Sequence, residues 1–183
     1  MTRPAFLVEG HMEQRILRNI CPGAPARRIG CNGDNVSLRV MSKFIASQIR
    51  LLGNRHHPII IIFDREDRQE SSEELAADLL GLLHEVGLDD QDIRIFVADR
   101  DVEDWILKDM ETLKARTGVD PGEGVFLRKG GLIRLLSQRV AYHETTVGVD
   151  LFLASNKERI AQSCQIFNAL RNTALELGCD TFV

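Results

Sequence analysis

The chain has 183 residues, 44% of them hydrophobic, and a formal net charge of −4. That length and hydrophobic content suit one compact domain with a substantial core; no apolar run reaches the roughly 18–20 residues of a membrane span, and the start MTRPAFLVEG lacks a secretory leader's long apolar stretch, so a cytoplasmic protein with no membrane partner is expected. The acidic balance argues against a uniformly basic nucleic-acid coat.

Charge is nonetheless uneven. Residues 1–57 carry nine basic and three acidic side chains, residues 58–123 seven and nineteen, and residues 124–183 seven and five. A basic first third beside an acidic middle suits a phosphate-binding surface next to a carboxylate-rich metal site, with Arg27, Arg28, Arg39 and Lys43 as the candidate nucleic-acid contacts. The four cysteines, Cys21, Cys31, Cys164 and Cys179, include no C-x-x-C pair. They are expected to be reduced, structural thiols.

Short aliphatic runs alternate with amphipathic segments over the first 110 residues, the pattern of a parallel α/β sheet. PAFLVEG is a strand, and a helix follows through MEQRILRNI until CPGAP breaks it. ARRIG is a short second strand; CNGDN then turns the chain. Asn35 or Ser37 caps the next helix, VSLRVMSKFIASQIRLLG, which closes at Gly53. PIIIIFD is the clearest strand, apolar throughout as expected where helices cover both sheet faces. Ser71 or Ser72 opens a helix ending near Gly87, DIRIFVAD is a fourth strand, and VEDWILKDMETLKAR reads as one further helix. Beyond residue 117, GGLIRLLSQRVAYH and KERIAQSCQIFNALRNTALELG read as helices. The organisation expected is a core over residues 1–117 with a helical extension over 118–183, packed together as one domain.

Open α/β sheets bind ligands beyond the carboxyl ends of their strands. The first strand ends at Glu9, the third runs into Asp64, Glu66 and Asp67, and the fourth leads to Asp99, Asp101 and Glu103. Empty, such a cluster would repel itself and raise its own pKa values. A hard divalent ion, Mg²⁺ or Mn²⁺, takes one or two carboxylates together with water and substrate phosphate. Asp64 and Glu66 share a face if the strand stays extended past Phe63. Asp67, Asp99 and Asp101 read as caps or solvated charges, Trp105 as core or a lid over the acids, Gly33 as a turn, and His11, His56 and His57 as loop residues.

FLVEGHME, then CNGDN after a short strand, then IIIIFDRED, resemble the successive motifs of the Toprim domain, the metal-binding α/β module of topoisomerases, bacterial primases and overcoming-lysogenization-defect (OLD) nucleases. The resemblance covers residues 5–110. It is nearest to the OLD-type Toprims and to small stand-alone Toprim-like proteins encoded beside ATPases in bacterial defence loci, to which VEDWIL and LRKGGLIRLLSQRVAYHETTVGVDLFL are also similar. It implies a Rossmann-like parallel sheet of about four strands flanked by helices. By the same resemblance Glu9 is a metal ligand or general base, Gly10 its turn, Glu13 a second acid, and Asp64 with Glu66 the D-x-D pair, Glu replacing the second Asp. Glu103 matches the acid completing a second metal site, and Lys129 a lysine set against the reacting phosphate.

The activity expected is a metal-dependent nuclease using one or two ions on DNA, in anti-phage defence, with the ATPase supplied by a separate chain because no G-x-x-x-x-G-K-[ST] is present. A homodimer is compatible with this. The rival expectations are a Toprim ribonuclease acting on transfer or ribosomal RNA, and a metal-binding regulatory subunit without turnover.

Overall fold

The computed structural model describes residues 3–31, 36–120, 131–136, 141–179 and 182. Four parallel strands, β1 (Arg3–Val8), β2 (Ala26–Arg28), β3 (His56–Asp64) and β4 (Ile93–Ala98), form one sheet in the order β2-β1-β3-β4. Val8 lies opposite both Arg28 and Ile62, and Asp64 lies opposite Ala98, so the carboxyl ends meet along one edge.

Side-chain alternation along β1 divides the core. Ala5 and Leu7 join Ile59, Ile61 and Phe63 beneath α2 (Leu38–Leu52) and α3 (Ser72–Glu85). Phe6 and Val8 join Ile60 and Ile62 on the other face, beneath α1 (His11–Ile20) and the carboxyl-terminal helices. With both faces covered, β3 is buried from Pro58 to Phe63, which is why PIIIIF is apolar without alternation. Ser37 caps α2 through the Val40 amide, and Ser71 with Glu74 forms a capping box on α3.

Two segments that read as single helices are each divided. Residues 103–117 form α4 (Glu103–Leu107) and α5 (Met110–Thr117), because Asp109 leaves the helical region and its carboxylate accepts the Thr112 amide as a new cap. Residues 157–176 form α8 (Lys157–Ser163) and α9 (Gln165–Glu176), separated by extended backbone at Cys164. Between them, α6 (Gly131–Leu136), a π turn (Glu144–Gly148) and α7 (Val149–Ala154) complete the chain. Phe152, Phe167 and Phe182 join Trp105 in an aromatic cluster within the α1-side core, with Trp105 and Phe167 ring centroids 5.1 Å apart. The extension therefore shares the core of the sheet's α1 face. No helix among the described residues is long and apolar enough to cross a membrane.

The expectation of four reduced thiols is corrected. Cys21, which ends α1, and Cys179, which follows α9, form a disulfide with their Cα atoms 4.6 Å apart. A separation of 158 residues hides such a pair from any spacing rule. Cys31 and Cys164 are free.

Candidate active site

In the order β2-β1-β3-β4 the connections leave β1 toward one side and return past it to β3, so the sheet's topological switch point lies between β1 and β3. Glu9, the residue after β1, and Asp64, the last of β3, face each other there. The Asp64 amide donates to Glu9 Oε2 at 3.3 Å. Glu9 is buried, and Asp64 Oδ1 is enclosed with no hydrogen-bond partner among the described residues.

Gly10 answers why a buried strand should end in Glu-Gly. Its φ of −103° is open to any residue, and it contributes no side-chain cap to α1. What it provides is space: a Cβ at Gly10 would collide with Glu13 Oε2. Glu13, at the third helical position, folds its carboxylate back over Gly10, where hydrogen bonds from the Glu13 and Gly10 amides stabilise the charged form. Burial outweighs them. Glu13 borders an apolar cavity with Ile16, Ile62, Trp105 and Phe182, and its pKa is pushed up to about 7, with the charges of Glu144 and Glu9 adding to the shift.

The remaining acids converge on this pair. Burial first, then the charges of Glu13, Glu103, Glu9 and Asp101, raise the Asp64 carboxyl well above its ordinary range. Glu103, which opens α4, is raised to about 8 by burial and then by Asp101, Glu13 and Glu144. Asp101 has two functions: its Oδ1 caps α4 through the Asp104 amide at 3.0 Å, and its charge bears on Asp64 and Glu103. The structure thus brings Glu9, Glu13, Asp64 and Glu103 together as expected, and adds Asp101, Glu144 and Tyr142. The Tyr142 phenol is half-buried and held neutral by its burial and by the surrounding carboxylates. Glu144 and Tyr142 come from the π turn and the residues just before it, some 80 positions after Asp64, and no motif spacing in the sequence marks them.

Glu66 departs from expectation. The strand ends at Asp64, and Glu66 adopts a left-handed φ of 56°, with its amide donating to the Arg100 carbonyl at 2.9 Å. The backbone between the two acids is therefore not the extended strand that a D-x-E pair on one face requires, although Glu66 Oε2, like Asp64 Oδ1, is enclosed. Strain of this kind costs roughly 1–3 kcal/mol and concentrates at functional sites. Around the turn, Arg65 Nε donates to the Asp99 carbonyl at 2.6 Å, and Arg68 donates to the Asp64 carbonyl at 2.9 Å.

The basic candidates are dispersed. Arg28 stands opposite Val8 at the same sheet edge as Glu9, and Arg27 is exposed on the edge strand β2. Arg39 and Lys43 lie on α2, across the sheet from α1, and Arg39 is paired with Glu85 at 3.3 Å. Lys129 falls outside the described residues. Trp105 is core rather than a lid; Asp67 and His11 are exposed, Asp99 accepts a hydrogen bond from Ser72, and His56 sits at the opposite end of β3.

As placed, no group of three or more His, Cys, Asp or Glu among the described residues could by itself hold a metal ion. The donor set still fits a hard cation of the Mg²⁺ class, which needs only one or two carboxylates beside water and phosphate oxygens. The enclosed, unpartnered Asp64 Oδ1 and the mutual upward shift of the acids are what a site missing its counter-charge shows.

Fold and site define a doubly wound α/β protein with a buried acidic centre at its switch point. Compared with protein-family models, characterised proteins and solved structures, the chain matches none of them.

Proposed function

We propose that the protein is a divalent-cation-dependent phosphodiesterase of the Toprim kind, a nuclease acting on DNA. The observation that carries this reading is Asp64: a carboxylate at the switch point, with one oxygen enclosed and unpartnered among the described residues, surrounded by Glu9, Glu13, Asp101 and Glu103. Asp64 and Glu9 would hold a first ion, and Glu13 and Glu103 a second. When bound, such ions neutralise phosphate charge and activate water.

The chain's own groups divide the remaining work. The Asp64 amide fixes the orientation of the Glu9 carboxylate. Glu13 and Glu103, with pKa values of about 7 and about 8, hold protons on their carboxyl oxygens near neutrality and release them when positive charge enters. Tyr142 stays protonated and so remains a hydrogen-bond donor beside the acids.

The test is incubation of the purified protein with supercoiled plasmid, single-stranded DNA and transfer RNA, in Mg²⁺, Mn²⁺ or EDTA. Metal-dependent nicking or cutting of DNA that Asp64→Ala abolishes supports the reading. Cleavage confined to transfer RNA moves the substrate to RNA; no cleavage with any of the three overturns the enzyme.

A further inference from the structure

The acidic centre repels a polyanion, so a phosphodiester strand requires positive groups close by to hold it. A hollow of about 310 Å³ lies between the outer side of α1 and the π turn, lined by Arg15, Arg18, Asn19, Thr145, Thr146 and Asp150, among others. Both of its walls come from elements that also build the acidic centre, since α1 carries Glu13 and the π turn begins with Glu144. Arg15 and Arg18, three positions apart, share a side of the helix. Along the axis they stand about 3 Å and about 8 Å beyond Glu13, at 1.5 Å per residue.

Among the described residues neither guanidinium has a carboxylate partner. Arg15 Nη1 donates to the Thr145 carbonyl at 2.6 Å, which orients the side chain without neutralising it. Both arginines are exposed. The hollow offers two guanidiniums without a carboxylate partner among the described residues, and the Thr145 hydroxyl, against the single carboxylate of Asp150; the Asn19 amide already donates to the Arg15 carbonyl at 2.8 Å and the Thr146 hydroxyl to the His143 carbonyl at 3.4 Å. That inventory suits a phosphate oxygen, which accepts hydrogen bonds and favours forked guanidinium donors.

We propose that this hollow is the strand-holding subsite: Arg15 and Arg18 bind a backbone phosphate of a single nucleic-acid strand whose scissile phosphate lies at the acidic centre. The proposal rests on the nuclease reading for the position of the scissile bond, while the contact itself is one of binding. It places the main phosphate contact on α1, in place of the dispersed set Arg27, Arg28, Arg39 and Lys43. The contact is to the backbone and reads no sequence.

The experiment measures binding of a fluorescent single-stranded DNA 12-mer in EDTA across a salt series, with cleavage followed in parallel in Mn²⁺. Arg18→Ala has no described partner to lose and is expected to weaken binding several-fold. Arg15→Ala with Arg18→Ala is expected to weaken it about tenfold and to lower the salt slope by about 0.7, the contribution of one single-strand phosphate contact. Arg15→Lys, which keeps the charge, restores part of the loss. If the double variant loses its fold because Arg15 also anchors Thr145, Arg18→Ala and Arg18→Glu decide the matter alone. Unchanged affinity and slope in the arginine variants, or no binding by the unsubstituted protein, overturns the subsite. Cleavage that persists while the variants bind normally removes the subsite and leaves the nuclease; arginine-dependent binding without cleavage does the reverse.

Discussion

The Asp64 amide donates to Glu9 Oε2 at 3.3 Å, joining the ends of two strands that are 55 residues apart in sequence and adjacent in the sheet. This bond fixes one carboxylate while leaving Asp64 Oδ1 enclosed beside it, with no hydrogen-bond partner among the described residues. Such an arrangement costs stability unless positive charge is supplied. The first two predictions follow from that cost.

Asp64→Asn removes one negative charge from the cluster and nearly preserves the side-chain shape. In EDTA at pH 8 the melting temperature should rise by about 2–4 °C, the shift that roughly 1 kcal/mol produces in a protein of this size. Cleavage should fall by about a hundredfold or more. Paired melting curves and plasmid assays check both; a loss of stability with activity intact would make Asp64 a structural residue.

Stability of the metal-free protein should depend on pH in the direction opposite to that of a salt-bridged fold. Glu13 and Glu103 have folded pKa values of about 7 and about 8 against about 4.5 unfolded. The folded state therefore binds more protons than the unfolded state between these values, and its contribution is complete below pH 4.5 and lost as the pH rises through 8. Denaturant unfolding at pH 5, 6.5 and 8 in EDTA should show falling stability from these groups. Added Mn²⁺ should stabilise the protein more at pH 8 than at pH 5, because at pH 5 protons already occupy the site.

Gly10→Ala should destabilise, although the backbone at this position tolerates alanine. The new Cβ meets the Glu13 carboxylate, and displacing it should cost about 1–3 kcal/mol and reduce cleavage. Gly81→Ala is the contrast. It lies within α3 with open space where a Cβ would stand, and should stabilise by about 0.5–1 kcal/mol with unchanged activity. Equal effects of the two substitutions would refute the close approach of Glu13 to Gly10.

The Cys21–Cys179 disulfide ties the end of the helix bearing Glu13 to the chain just after α9. Thiol titration of the unreduced, denatured protein should find two free thiols, Cys31 and Cys164, and four after reduction. Reduction should lower unfolding stability by about 2–5 kcal/mol. Four titratable thiols before any reductant is added would show the pair to be open in solution.

Much of the architecture is legible in the sequence because it is written in local terms. An unbroken apolar PIIIIF, serines before amphipathic runs and glycines after them specify a parallel sheet with helices on both faces, and strand ends mark Glu9, Asp64 and Glu103 as candidates. Local pattern also misleads where a tertiary contact outweighs it. Asp109 looks like an exposed helix acid, yet it caps α5, accepts the Asn156 amide at 2.6 Å and pairs with Arg159 at 2.9 Å, so a single amphipathic segment breaks in two. Glu66 looks like the partner of Asp64 on an extended strand, yet bonding to Arg100 turns the backbone left-handed. Glu144, Tyr142, the Cys21–Cys179 pair and the Arg15–Arg18 hollow all depend on the carboxyl-terminal segment folding back against α1. Sequence determined what each segment prefers, because propensity and periodicity act over a few residues; only the tertiary structure decided which distant charges share one enclosed space, because burial and Coulomb interaction depend on separation in space and not along the chain.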